Sequence, residues 1–136
     1  MAYVLGMSTF PDDLRYTETH QWVRDGQPLA TLGITQTEAD RLGSITFVEL
    51  PYPGELLQAG KVLCRISGEA NSAVLKMAFT AKVMTTNPIL VDQPGLVSSD
   101  PYGAGWIVKL EPGAREDIEG LMDAAAYEAL FAGDDA

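Results

Sequence analysis

Residues 67–79 read SGEANSAVLKMAF, a small polar cluster over 68–71 followed by an alternating run. A short Gly/Asn cluster between two β-type runs is a hairpin tip. After it, Ala73, Leu75, Met77 and Phe79 fall on one face, and Val74, Lys76, Ala78 and Thr80 on the other. That period of two belongs to a strand with one face buried. The run VLCRIS over 62–67 supplies the first arm. Val62, Cys64 and Ile66 share a face there, opposite Arg65, so Cys64 reads as a small buried hydrophobe and not as an activated thiol.

Outward from this hairpin the chain stays mostly β. THQWVR and LATLGI flank the turn signal DGQP and read as a second hairpin. In TQTEADRLG, Thr35 and Glu38 have capping-box spacing and Gly43 stands where a helix ends. A short helix is expected over about 35–42. SITFVELP reads as a strand with Ile45 and Phe47 on one face and Thr46, Val48 and Leu50 on the other. TTNPILVDQPGLVSSDPYGAGW reads as a long punctuated loop, and WIVKLEP as the last strand. A C-terminal helix is expected over about 114–131, with Ile118, Leu121, Met122, Ala125 and Leu130 as its apolar stripe. Residues 1–13 read as a loose lead-in and 132–136 as a polar tail.

The 136 residues are 46% hydrophobic and 21% charged, the composition of one globular domain. The net charge is −10 and the pI about 4.3. Such a surface repels phosphate backbones and anionic lipids, so neither nucleic acid nor membrane is an expected partner, and a basic protein face is. One cysteine allows no internal disulfide. With Cys64 and His20 the only cysteine and histidine, a Cys/His zinc site is nearly excluded and no metal is expected. The first residues lack a basic and apolar leader pattern, so a cytoplasmic location is expected. His20 has no nucleophile elbow or oxyanion signal around it and reads as a structural, hydrogen-bonded side chain. No residues qualify as catalytic. Trp22 and Trp106 read as core or cleft-wall residues.

Four segments in order, YTETHQWV (16–23), GITQTEADRLGSITFVELP (33–51), PILVDQPGLVSSDPYGAGWIVKL (88–110) and LMDAAAYEAL (121–130), resemble the H protein of the glycine cleavage system. The resemblance runs over roughly 16–131. It implies a lipoyl/biotinyl-type barrel-sandwich hybrid of two small sheets with added helices, a single domain, a monomer, and a carrier rather than an enzyme. It also implies partners of the H-protein type: glycine decarboxylase, aminomethyltransferase, dihydrolipoyl dehydrogenase and lipoate-attaching enzymes. A lipoyl group on a tip lysine serves several active sites because tethering raises its effective concentration at each.

The resemblance fails at the attachment point. The family tip reads Glu-Ser-Val-Lys-Ala. A gapless comparison puts Ser67, Gly68, Glu69, Ala70 and Asn71 there. Ala70 takes the lysine position and has no amine to acylate. Lys76 is the alternative attachment point, since LKM resembles a biotinyl or lipoyl lysine when read alone. Reaching it needs compensating gaps and a turn made of Leu, Met and Ala, residues that do not favour turns. His20 and Gln21 correspond to a segment that lines the cleft sheltering a loaded arm. The neutral Gln21 stands where the family has a carboxylate, and it attracts a cationic arm less. The expectation is therefore an H-like docking or regulatory module without lipoate. The alternative is a working lipoyl carrier in glycine decarboxylation, modified at Lys76.

Overall fold

The computed structural model describes residues 11, 13–26, 29–114 and 116–135, the side chains of 131–135 excepted. Most of the lead-in expected over 1–13 lies outside the described residues. The elements run β1 (Arg15–Tyr16), β2 (Gln21–Asp25), β3 (Ala30–Ile34), α1 (Gln36–Leu42), β4 (Ile45–Glu49), β5 (Leu56–Leu57), β6 (Val62–Gly68), β7 (Ser72–Lys76), β8 (Ala81–Thr86), α2 (Ile89–Asp92), α3 (Leu96–Ser99), β9 (Val108–Pro112), α4 (Glu116–Glu119) and α5 (Ala124–Asp135).

The strands form two antiparallel sheets, as expected of a mostly β fold. One has the order β1-β2-β3-β9-β8-β5 and the other β4-β6-β7. One buried cluster takes side chains from both, including Leu32, Val83 and Leu110 from the larger and Val48, Ile66 and Leu75 from the smaller. Burying a side chain of that size contributes about 1.5–3 kcal/mol. Hence neither sheet keeps its apolar face without the other. The run from Ser72 onward crosses between the sheets: β7 pairs with β6, while β8 pairs with β5 and β9. Its alternation survives the crossing, with Leu75, Met77 and Phe79 buried.

Two bulges shift expected faces. In β4 the pairing slips between Ile45 and Phe47, so Ile45 and Val48 point inward and Phe47 is 57% exposed. In β6 the slip between Val62 and Cys64 buries Leu63 beside Cys64 and leaves Val62 exposed. An extra residue in one strand breaks the period of two, which simple alternation does not foresee. Burial, and secondarily the charge of Glu49, push the Cys64 thiol up to about 12.

The helices depart further. The helix expected over 114–131 is two: α4 and α5, separated at Gly120–Asp123. Met122, expected on an apolar stripe, forms a β-bridge with Tyr16 through two backbone hydrogen bonds of 2.8 and 3.0 Å. Asp123 Oδ1 accepts from the Ala126 amide at 2.8 Å and so restarts the helix. Among the described side chains of α5, Ala124 and Tyr127 are buried and Ala125 is exposed. The expected polar tail continues this helix through Asp135. The loop expected over 85–106 holds α2 and α3, whose starts lie at Pro88 and just after Pro94. Proline's fixed φ suits the first turn of a helix. Among the described residues, no helix is long and apolar enough to cross a membrane.

Candidate functional site

The β6–β7 hairpin turns where its sequence expects. Ser67 pairs with Ser72, and the Gly68 amide donates to the Asn71 carbonyl at 2.9 Å. The tip is therefore Gly68, Glu69, Ala70 and Asn71, with the last three exposed. It lies against the C-terminal end of α1. The Ala70 and Asn71 amides donate to Leu42 O at 2.9 and 3.3 Å, and the Glu69 amide to Ser44 O at 3.0 Å. Asn71 Nδ2 donates to Arg41 O at 3.0 Å. The last carbonyls of a helix have no partner within it, and here the hairpin tip supplies the donors.

Lys76 stands apart from the tip, at the far end of β7 opposite Val62. It is exposed. Its carbonyl accepts from Gln21 Nε2 at 3.0 Å, and the next amide, of Met77, donates to Lys61 O at 2.8 Å. Both contacts hold Lys76 in extended backbone. Gln21 is fully buried rather than on the cleft surface, and its Oε1 has no hydrogen-bond partner. A carboxylate could not donate to the Lys76 carbonyl, so the amide has a structural use of its own here.

Two grooves flank β7. One, of about 460 Å³, is lined by Ser72–Leu75, Glu18–His20, Glu38 and Arg41. The other, of about 380 Å³, lies between Lys76–Ala78, Tyr16–Thr19 and Gly120–Met122. His20 is on the first groove and Gln21 lines neither.

His20 has a left-handed backbone, φ +69°. Its Nδ1 lies 2.8 Å from the Tyr127 hydroxyl, which is 2.9 Å from Thr35 Oγ1. Thr35 Oγ1 in turn accepts from the Glu38 amide at 3.3 Å and caps α1. Only this half of the expected capping box forms. The Thr35 amide donates to His20 O at 3.0 Å, and the Glu38 carboxylate is turned to Arg41 at 2.7 and 3.1 Å. Tyr127 also stacks on Tyr16 with ring centres 4.8 Å apart. Burial pushes its phenol pKa well up. The hydrogen-bonded, structural role expected of His20 thus has a named set of partners. Sequence reasoning misses Tyr127, because the helix that carries it starts at Ala124 and turns a different face inward from the expected stripe. It also misses the Arg41, Leu42 and Ser44 carbonyls, which bear no sequence signal.

Comparison with known proteins agrees with this architecture. The model of the "Glycine cleavage H-protein" family matches residues 14–134. The glycine cleavage system H protein of Myxococcus xanthus is 42% identical over 121 residues, 89% of this chain and 94% of that one. That of Bacteroides fragilis is 38% identical over 121 residues, 89% and 96% of the two chains. The crystal structure of the H protein from Mycobacterium marinum superposes with a TM-score of 0.83 at 28% identity, covering 90% of this chain and 99% of that one. Matches of this extent, on two sheets joined in this order, mean that the chain belongs to the glycine cleavage H-protein family.

Proposed function

We propose that this chain is an H-type docking or regulatory module that carries no lipoyl group. H proteins are carriers and not enzymes, so the chain is not an enzyme in its own right. The observation that carries the proposal is Ala70 at the hairpin tip, between Glu69 and Asn71, with no amine among the four tip residues. Lipoate attaches as an amide, and a methyl group cannot accept the acyl carbon. The residues present at the tip therefore do not fit the cofactor that the family implies. Lys76 is an unfavourable substitute because its backbone is held in a strand on both sides. The neutral, buried Gln21 is consistent with the absence of a cationic arm to shelter.

The retained family fold is the platform on which such a module meets its partners. Candidates are glycine decarboxylase, aminomethyltransferase, dihydrolipoyl dehydrogenase and lipoate-attaching enzymes, approached by an acidic surface of net charge −10. The test is intact-protein mass after incubation with a lipoate ligase, ATP and lipoate, beside a lysine-bearing H protein. No gain is expected. A gain of one lipoyl group, mapped to Lys76 by peptide analysis, would restore the carrier reading.

A further inference from the structure

A Cβ on Gly68 would be driven into the carbonyl oxygen and carbon of Leu42. Those are backbone atoms of α1 and cannot swing aside as a side chain would. The close approach is what brings the tip within reach of the helix end. Four hydrogen bonds then run from the tip to residues 41–44: Glu69 N to Ser44 O, Ala70 N and Asn71 N to Leu42 O, and Asn71 Nδ2 to Arg41 O. Beneath them Gly43 has φ +81°, and a Cβ there would come within 3.3 Å of Ala70 Cβ. The other end of α1 is fixed by the Thr35 cap and its contact with Tyr127. The helix is therefore an anchored seat and not a floating neighbour.

We infer that Gly68 is a positioning residue that straps the hairpin tip onto the end of α1, so the tip is a fixed surface feature and not a turn free to enter an acylating active site. The family motif has Ser at this position, and a Ser side chain is incompatible with the observed seat. Three of the strap's four hydrogen bonds are backbone to backbone, and the strap stands whether or not the docking proposal is right. Only its bearing on acylation rests on that proposal.

Amide hydrogen exchange on the full chain tests the strap, read by mass spectrometry on peptides spanning the tip. Gly68→Ser should speed tip exchange by about tenfold or more, the protection given by one or two net backbone hydrogen bonds. Peptides from β9 should keep their native protection. If Gly68→Ser fails to fold, Asn71→Ala decides, because it deletes only the side-chain bond to Arg41 O. Tip exchange should then rise about threefold. Unchanged tip exchange in the folded variant overturns the inference.

A second readout uses an Ala70→Lys background. A lipoate ligase there forms an amide between the introduced amine and the lipoyl carbonyl, and AMP leaves from the adenylate made with ATP. Adding Gly68→Ser should raise that rate about tenfold, in step with the exchange. Equal rates overturn the link between strap and acylation. Failure of the docking proposal would look different: the unmodified chain itself would gain mass.

Discussion

The Nδ1 atom of His20 and the hydroxyl of Tyr127 lie 2.8 Å apart although 107 positions separate them in the chain. Through this contact, α5 closes over the turn between β1 and β2, and the Tyr127 hydroxyl also meets the cap of α1. Tyr127→Phe keeps the stack on Tyr16 and removes only the hydroxyl. It should destabilise the fold by about 1–3 kcal/mol, since Thr35 loses a buried hydrogen bond and His20 a part-buried one. The check is the denaturant midpoint, with an unchanged slope.

His20 also sets the backbone. At φ +69° a Cβ-bearing residue without a local polar group is strained by about 1–2 kcal/mol. Substitutions should therefore rank by backbone tolerance as well as by lost contact. His20→Gly and His20→Asn should both be more stable than His20→Ala, by about 1 kcal/mol. Thermal midpoints of the three variants would reveal an order set by the side-chain contact alone, which would contradict this.

The inward position of Val48 and the outward position of Phe47 can be separated by mutation. Val48, 4% exposed, should cost about 1–3 kcal/mol when changed to Ala. Phe47→Ala should stay within about 0.5 kcal/mol of the parent. The reverse ranking in chemical denaturation would place the β4 bulge elsewhere.

Alkali should weaken the fold through Cys64. Burial raises its pKa from 9.0 to about 12, with the charge of Glu49 adding to the shift. The unfolded thiol ionises first, so stability held below pH 9.0 is lost as pH climbs towards 12. Tyr102 and Tyr127, also raised chiefly by burial, act in the same direction. Cys64→Ala should lose about 1 kcal/mol at neutral pH. It should show a shallower decline above pH 9.0, measured by urea denaturation at a series of pH values.

What the sequence made legible follows from locality. The tip over 68–71, the cap at Thr35 and the stop at Gly43 depend on residues within a turn of one another, and all three stand in the structure. The faces of β4 and β6 depart from simple alternation because a bulge is a pairing event between strands, not a property of either strand. The stripe of the last helix failed for a related reason. Met122 exchanges helix for a bridge to Tyr16, a partner that no window around 122 contains. At the site, the placement of Ala70 was readable, whereas the seat under it is made of main-chain carbonyls whose identity no side chain announces.

The strand order has a bearing on synthesis from the ribosome. All three strands of the smaller sheet lie within residues 45–76, so its pairings are complete once that stretch has emerged. The larger sheet must wait, because β9 at Val108–Pro112 is the strand that joins β3 to β8. Until then the β2–β3 hairpin has an open edge, the kind of surface that invites pairing with another chain. Tyr127 lies in α5, so the His20 turn is finished only after residue 127 has emerged.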